Sequence, residues 1–184
     1  MSFYNALDWH LNNIKNLKFV TSILKLSISY LPGNLKNGFL YCGLFPEDYI
    51  IKRKQLIRLW IAEGFVEERG GQITLEETAD DHLKELIQRS LLQVVERNVC
   101  GRAKLFQMHD LIRDIVINNC KLDKFSVLLN DPQVTKFGNE ACRVSVMKKG
   151  KSIEVGVGAE KIRSFMLFDT EVAHSWVEKA SANF

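Results

Sequence analysis

The sequence predicts a mainly α-helical chain carrying one small β-hairpin. Three observations lead there. Stretches before residue 90 repeat their apolar residues at helical spacing, with start and stop signals between them. Two short segments, Leu91 to Glu96 and Ala103 to Met108, flank a turn that holds Asn98 and Gly101. A further helical stripe, Leu111, Ile112, Ile115 and Val116, follows directly on Met108-His109-Asp110.

Taken in order, residues 1–20 place Leu7, Trp9, Leu11, Ile14 and Leu17 in a helix-like pattern too small to close a core. The next helix runs over 21–31, with Thr21-Ser22 as caps and Pro32-Gly33 as its stop. Asn34 is placed to cap a helix from Leu35 to Phe45, with Leu35, Phe39 and Cys42 on one face. Gly38 and Gly43 lie inside it, and each is unfavourable by about 1 kcal/mol relative to Ala, so close packing is expected at both. Pro46-Glu47-Asp48 ends the helix, and Tyr49-Ile50-Ile51 reads as an extended link. A third helix spans Lys52 to Glu63, stopped by Gly64. Thr74-Leu75-Glu76-Glu77 is a capping box that opens a fourth helix, to about Arg89. Helices, then a hairpin, then a helix leaving the hairpin is a winged-helix order. Asp110 reads as the N-cap of that last helix, because its carboxylate can accept from the free N–H groups. Beyond Lys121 the texture changes. Phe125 to Leu129 is one apolar run, and Asn130-Asp131-Pro132 and Gly138-Asn139 are breakers. Arg143–Val146 and Ile162–Phe168 read as strands about 20 residues apart, a spacing within leucine-rich-repeat periods.

The 184 residues are 46% hydrophobic and 26% charged, enough for one globular domain and part of another. A net charge of +3 is too small to imply a nucleic-acid partner by itself. Cys42, Cys100, Cys120 and Cys142 are widely spaced, as in a reduced, intracellular protein. The amino-terminus shows no basic-then-apolar leader, and no apolar run reaches membrane-spanning length. A cytoplasmic location without a membrane segment is expected. Both ends read as arbitrary, as in a fragment of a longer protein or a truncated gene product.

Tests for chemistry are mostly negative. Gly33 to Gly38 has the two-glycine spacing of a phosphate loop, but Phe39-Leu40 stand where Lys-Ser/Thr is needed. Gly150-Lys151-Ser152 has the last three residues, but Ser145 replaces the first glycine. His10, His82, His109 and His174 show no metal-binding spacing with the cysteines. Asp80-Asp81 and Glu67-Glu68 read as solvated faces. No catalytic residue and no metal site are expected, and the chain does not read as an enzyme. Lys52, Arg53, Lys54 and Arg58 raise a DNA question for the third helix, which sits where a winged helix carries its recognition helix. Leu59-Trp60-Ile61-Ala62 is apolar, however, where groove reading needs polar side chains, so packing is the better reading. His109 stands at the mouth of a helix N-terminus, where N–H groups and the helix dipole favour an anion. A phosphate contact and plain capping are both open there on the residues alone.

Phe39-Leu40-Tyr41-Cys42-Gly43-Leu44-Phe45-Pro46-Glu47-Asp48, Leu56-Ile57-Arg58-Leu59-Trp60-Ile61-Ala62-Glu63-Gly64-Phe65-Val66, Leu86 to Leu92 and Met108-His109-Asp110-Leu111 together resemble plant disease-resistance proteins of the coiled-coil, NB-ARC, leucine-rich-repeat (NLR) type. Gly38 and Gly43 depart from that family, which often has Cys at the first and Ala or Ser at the second. The resemblance implies residues 1–20 as the end of a preceding helical NB-ARC subdomain, 21–120 as the winged-helix domain, and 121–184 as a linker and the first, incomplete leucine-rich-repeat strands. It implies that His109 contacts the β-phosphate of ADP in the intact receptor, and that Asp110 helps hold the closed state. ADP and ATP are then ligands of the intact receptor, with none expected for these 184 residues alone, since the family's P-loop and Mg²⁺-binding acid are not among them. The implied partners are the receptor's own nucleotide-binding domain and repeats, with possible receptor self-assembly, no nucleic acid and no membrane segment. The implied function is the lid of an ADP/ATP switch in an immune receptor. The alternatives are a winged-helix DNA-binding regulator and a ligand-free interaction scaffold.

Overall fold

The computed structural model describes residues 19–129, 142–147 and 161–168. A helix α1 over 19–29 leads into α2 (Gly33–Cys42), β1 (Ile51–Lys52), α3 (Arg53–Ala62) and α4 (Leu75–Gln88). A hairpin of β2 (Gln93–Arg97) and β3 (Ala103–Gln107) runs into α5 (Asp110–Leu122). Three short strands follow: β4 (Val127–Leu129), β5 (Arg143–Val146) and β6 (Ser164–Leu167). Of the stretch assigned to a preceding subdomain, all but Phe19 and Val20 lies outside the described residues, as do the breakers Asn130-Asp131-Pro132 and Gly138-Asn139.

Several boundaries differ from the sequence reading, and α2 ends at Cys42 with Gly43 as its C-cap instead of running to Phe45. Thr21-Ser22 lie inside α1 and do not cap it. The N-cap of α2 is Pro32, with no side-chain cap bond, and Asn34 is already helical. The link at Ile51 is a strand: β1 pairs antiparallel with β3, Ile51 opposite Phe106 and Lys52 opposite Leu105. The sheet order β1-β3-β2, with β1 between α2 and α3, is the winged-helix arrangement. This moves the recognition-helix position from α3 to α4, the helix immediately before the hairpin.

The local signals that held are the strongest ones. Thr74 accepts from the Glu77 N–H at 3.2 Å, and the Glu77 carboxylate accepts from the Thr74 N–H at 2.9 Å, a complete capping box. Gly64 takes φ +72° at the end of α3, the left-handed position that Gly alone adopts without cost. Trp60 is 1% exposed and belongs to the core with Leu56, Phe39 and Leu83. Gly38 inside α2 and Gly43 at its C-cap are both explained by contact. A Cβ on Gly38 would stand 3.1 Å from the Trp60 ring, and one on Gly43 only 2.5 Å from Val116 Cγ1.

The second sheet is parallel, in the order β4-β5-β6. All four residues of β5 are buried, polar Arg143 and Ser145 included. A strand covered on both faces must satisfy every polar side chain within the protein, and β5 does so against the winged-helix domain. Leu129, Val144 and Val146 of the parallel strands form a small cluster of their own, and Met166 and Phe168 pack against the main core of the winged helix.

Candidate functional site

Chain direction sets the β3–α5 junction. Phe106 and Met108 are buried, which leaves His109 and Asp110 on the surface as the backbone turns into α5. His109 is the N-cap, with extended backbone (ψ 142°), and its Nδ1 accepts from the Leu111 N–H at 3.3 Å. The capping role assigned to Asp110 therefore belongs to His109. Asp110 is one residue further on, in the first helical turn, where its charge meets the positive end of the helix dipole. With Nδ1 accepting, a neutral imidazole carries its proton on Nε2, and that N–H has no partner among the described residues. His109 lines an open cleft of about 480 Å³ together with Arg97, Gln93 and Ser90. The cleft wall carries the His109 ring, the Gln93 amide and the Arg97 guanidinium, whose Nη1 donates to the Gly101 carbonyl at 2.9 Å, among apolar Ile87, Leu91, Val94 and Ile112, so a phosphate oxygen has donors within the lining.

A second set of polar contacts, buried or part-buried, joins the winged helix to the parallel strands. Arg143 Nε and Nη2 both donate to Glu63 Oε2 at 2.8 Å. The guanidinium lies 4.9 Å from the Phe65 ring centre and 4.3 Å from that of Phe125. Ser145 Oγ donates to the Leu44 carbonyl at 2.6 Å. Arg113, on α5, donates to the Phe45 carbonyl through Nε and Nη2 at 3.2 and 3.1 Å, and its Nη2 also reaches Met147 Sδ. The Tyr41 hydroxyl and Ser164 Oγ are 3.1 Å apart, and burial lifts the Tyr41 phenol above its ordinary value. Phe168 packs on Phe45 and Tyr49. We refer to this as the seam between the winged helix and the parallel sheet.

Asp80 differs from the solvated face its sequence context suggests: it is 4% exposed, with Arg53 at 2.6 Å, Lys84 at 3.4 Å and Arg102 at 3.6 Å. Burial alone would raise its carboxyl, but these three cations outweigh burial and hold it below the usual range. Burial also pushes up the Cys42 thiol, and the Cys120 thiol to about 11, so both stay protonated. Among the described residues no cluster of His, Cys, Asp and Glu could hold a metal ion, and no helix is long and apolar enough to cross a membrane.

Two of these residues left a readable trace in the sequence. Asp80 falls on the apolar stripe of α4 with Leu83 and Ile87, and Arg113 falls on that of α5 with Val116 and Cys120. A charge inside an apolar stripe signals a buried pair. Glu63 with Arg143 left none, being 80 positions apart.

Residues 44–116 match the family described as the disease resistance protein winged helix domain. The chain is 49% identical over 128 residues to disease resistance protein RPM1 of Arabidopsis thaliana, an alignment covering 70% of this chain and 14% of that protein. It is 32% identical over 170 residues to disease resistance RPP8-like protein 3 of the same plant, covering 90% and 18%. It is 34% identical over 157 residues to disease resistance protein PIK6-NP of Oryza sativa subsp. japonica, covering 83% and 15%. The chain thus spans 14–18% of the length of these relatives.

Proposed function

The chain belongs to the plant disease-resistance proteins through its winged-helix domain, and we propose that this domain is the lid of a nucleotide-controlled immune switch inside the cell. The observation that carries the proposal is the geometry of His109. Its Nδ1 is occupied by the Leu111 N–H, which leaves Nε2–H to point a proton at a phosphate from a cleft that Arg97 also lines. In the closed receptor that N–H donates to the β-phosphate of ADP held by a separate nucleotide-binding domain. His109 favours the closed state only to the extent that it touches the nucleotide there and not in the open form. The domain's role in this reading is regulatory, not catalytic, and ATP in place of ADP releases the lid.

Asp110 acts on the same equilibrium through the helix. At the first turn of α5 its charge is worth about 0.3–1 kcal/mol against the dipole. The seam is the domain's other attachment: the parallel strands β4, β5 and β6 are the first strands of the leucine-rich repeats, so the lid and the repeats move together.

The acidity of α4 argues against the DNA reading. The helix in the recognition position carries Glu76, Glu77, Asp80, Asp81 and Glu85 against Lys84 alone, and would repel phosphates. A ligand-free scaffold predicts that Asp110 matters only for folding. Asp110→Val in the intact receptor separates these readings. We expect cell death without a pathogen at unchanged protein abundance, since about 1.4 kcal/mol shifts the closed-to-open ratio tenfold. Normal abundance with no autonomous cell death would refute the switch role of Asp110.

A further inference from the structure

A second surface carries charge that neither the mouth nor the seam uses. A groove of about 610 Å³ runs between the start of α3 and β3 with its turn, and every ionisable side chain lining it is a cation: Lys52, Arg53, Lys54, Arg102 and Lys104. Lys52, Arg53 and Lys54 occupy the N-cap and first turn of α3, which contains no acid. Cations stabilise the other end of a helix, so three in succession here oppose the dipole. The nearby carboxylates do not neutralise the groove. Arg53 and Arg102 share Asp80, Lys104 pairs with Glu96 at 2.6 Å, and Lys52 and Lys54 have no partner among the described residues. Five cations therefore stand against two carboxylates, neither of which lines the groove.

We propose that this groove binds a small ligand bearing two or more phosphate groups. Its volume is that of a small-molecule cleft. Arg53 and Arg102 supply forks suited to phosphate oxygens, and Lys52, Lys54 and Lys104 supply point charges around them. An anion here relieves both the mutual repulsion of the lysines and their opposition to the dipole of α3. A nucleic-acid duplex fits less well. Lying across the turn at Arg102, it would approach α4, where Glu76, Glu77 and Asp81 are exposed. The groove shares no lining residue with the His109 cleft, so this proposal does not rest on the nucleotide reading.

The test titrates the 184-residue chain with inorganic tripolyphosphate by calorimetry. The same chain is then mixed with phosphatidylcholine vesicles carrying phosphatidylinositol bisphosphate, and with duplex DNA. The variants are Lys52→Gln/Lys54→Gln and, as an exposed lysine outside the groove, Lys25→Gln. Melting curves check that each is folded. We expect tripolyphosphate binding that weakens with salt, falls about tenfold in the double variant and is unchanged by Lys25→Gln. Vesicle binding lost in the double variant, without tripolyphosphate binding, supports the same phosphate chemistry with a lipid headgroup as its source. Preferential DNA binding that depends on Lys52 and Lys54 overturns the proposal in favour of nucleic acid. Absence of any binding, or equal weakening by Lys25→Gln, also overturns it.

Discussion

At the β3–α5 junction, His109 and Asp110 are exposed, and the His109 ring is held by one 3.3 Å hydrogen bond. At the seam, 30 residues and more along the chain, Arg143 is 8% exposed, makes two 2.8 Å bonds to one carboxylate oxygen and lies against two aromatic rings. The difference lies in what each region loses when it opens. An exposed cap trades its hydrogen bond for water at little net change. A buried ion pair that is pulled apart leaves charges without water or partner. The mouth can therefore rearrange at little cost, as the proposed lid requires, while the seam keeps the winged helix and the parallel sheet together.

The sharpest way to break this contrast is Arg143→Ala. It strands the Glu63 carboxylate in an apolar surround and should destabilise the chain by about 3–5 kcal/mol. Urea unfolding measures it, and a loss below about 1 kcal/mol, the scale of a surface ion pair, would place the pair effectively in solvent. Gly43→Ala acts on the same region from the inside. The added methyl meets Val116 at 2.5 Å, just before the Leu44 and Phe45 carbonyls that serve the seam. Overpacking of this kind is unfavourable by about 1–3 kcal/mol. A melting temperature equal to the parent's would show that α2 and α5 can separate freely.

Asp80 lies in neither region and tests whether the contrast is specific. Its folded carboxyl is held below the ordinary value, so the stability it contributes is fully present above the unfolded-chain pKa. That stability is lost as pH falls through the lowered folded value. Asp80→Asn should lower stability at neutral pH and flatten the acid limb below about pH 4, the ordinary aspartate range. An acid limb parallel to the parent's would mean that Arg53, Lys84 and Arg102 do not hold this carboxylate charged.

Much of the fold can be read from local residues, and most of what cannot depends on distant ones. The Thr74 capping box and the Gly64 stop fix two helix ends by chemistry contained within a few residues. β1 has no such signature. Two residues show no alternation, and Ile51-Lys52 is a strand only because β3 lies beside it. At the mouth the sequence offered two capping side chains in succession. His109 took the position because Met108 is drawn into the core and the chain stays extended through His109. The position of the site was legible, but its division of labour was not. Most of the seam was invisible: Arg113 showed as a charge on the apolar stripe of α5, but nothing in Arg143-Val144-Ser145-Val146 announces Glu63 or the Leu44 carbonyl as partners.

The smallest expected effect on the fold accompanies the most direct test of function. His109→Ala removes a weak cap and should destabilise these 184 residues by less than about 1 kcal/mol. The decisive measurement is the ADP content of the intact receptor purified with and without that substitution. A lid that touches the β-phosphate predicts a substantial loss of bound ADP from the variant at equal protein yield. ADP retained at the level of the unsubstituted receptor would contradict the assignment of His109 to the nucleotide.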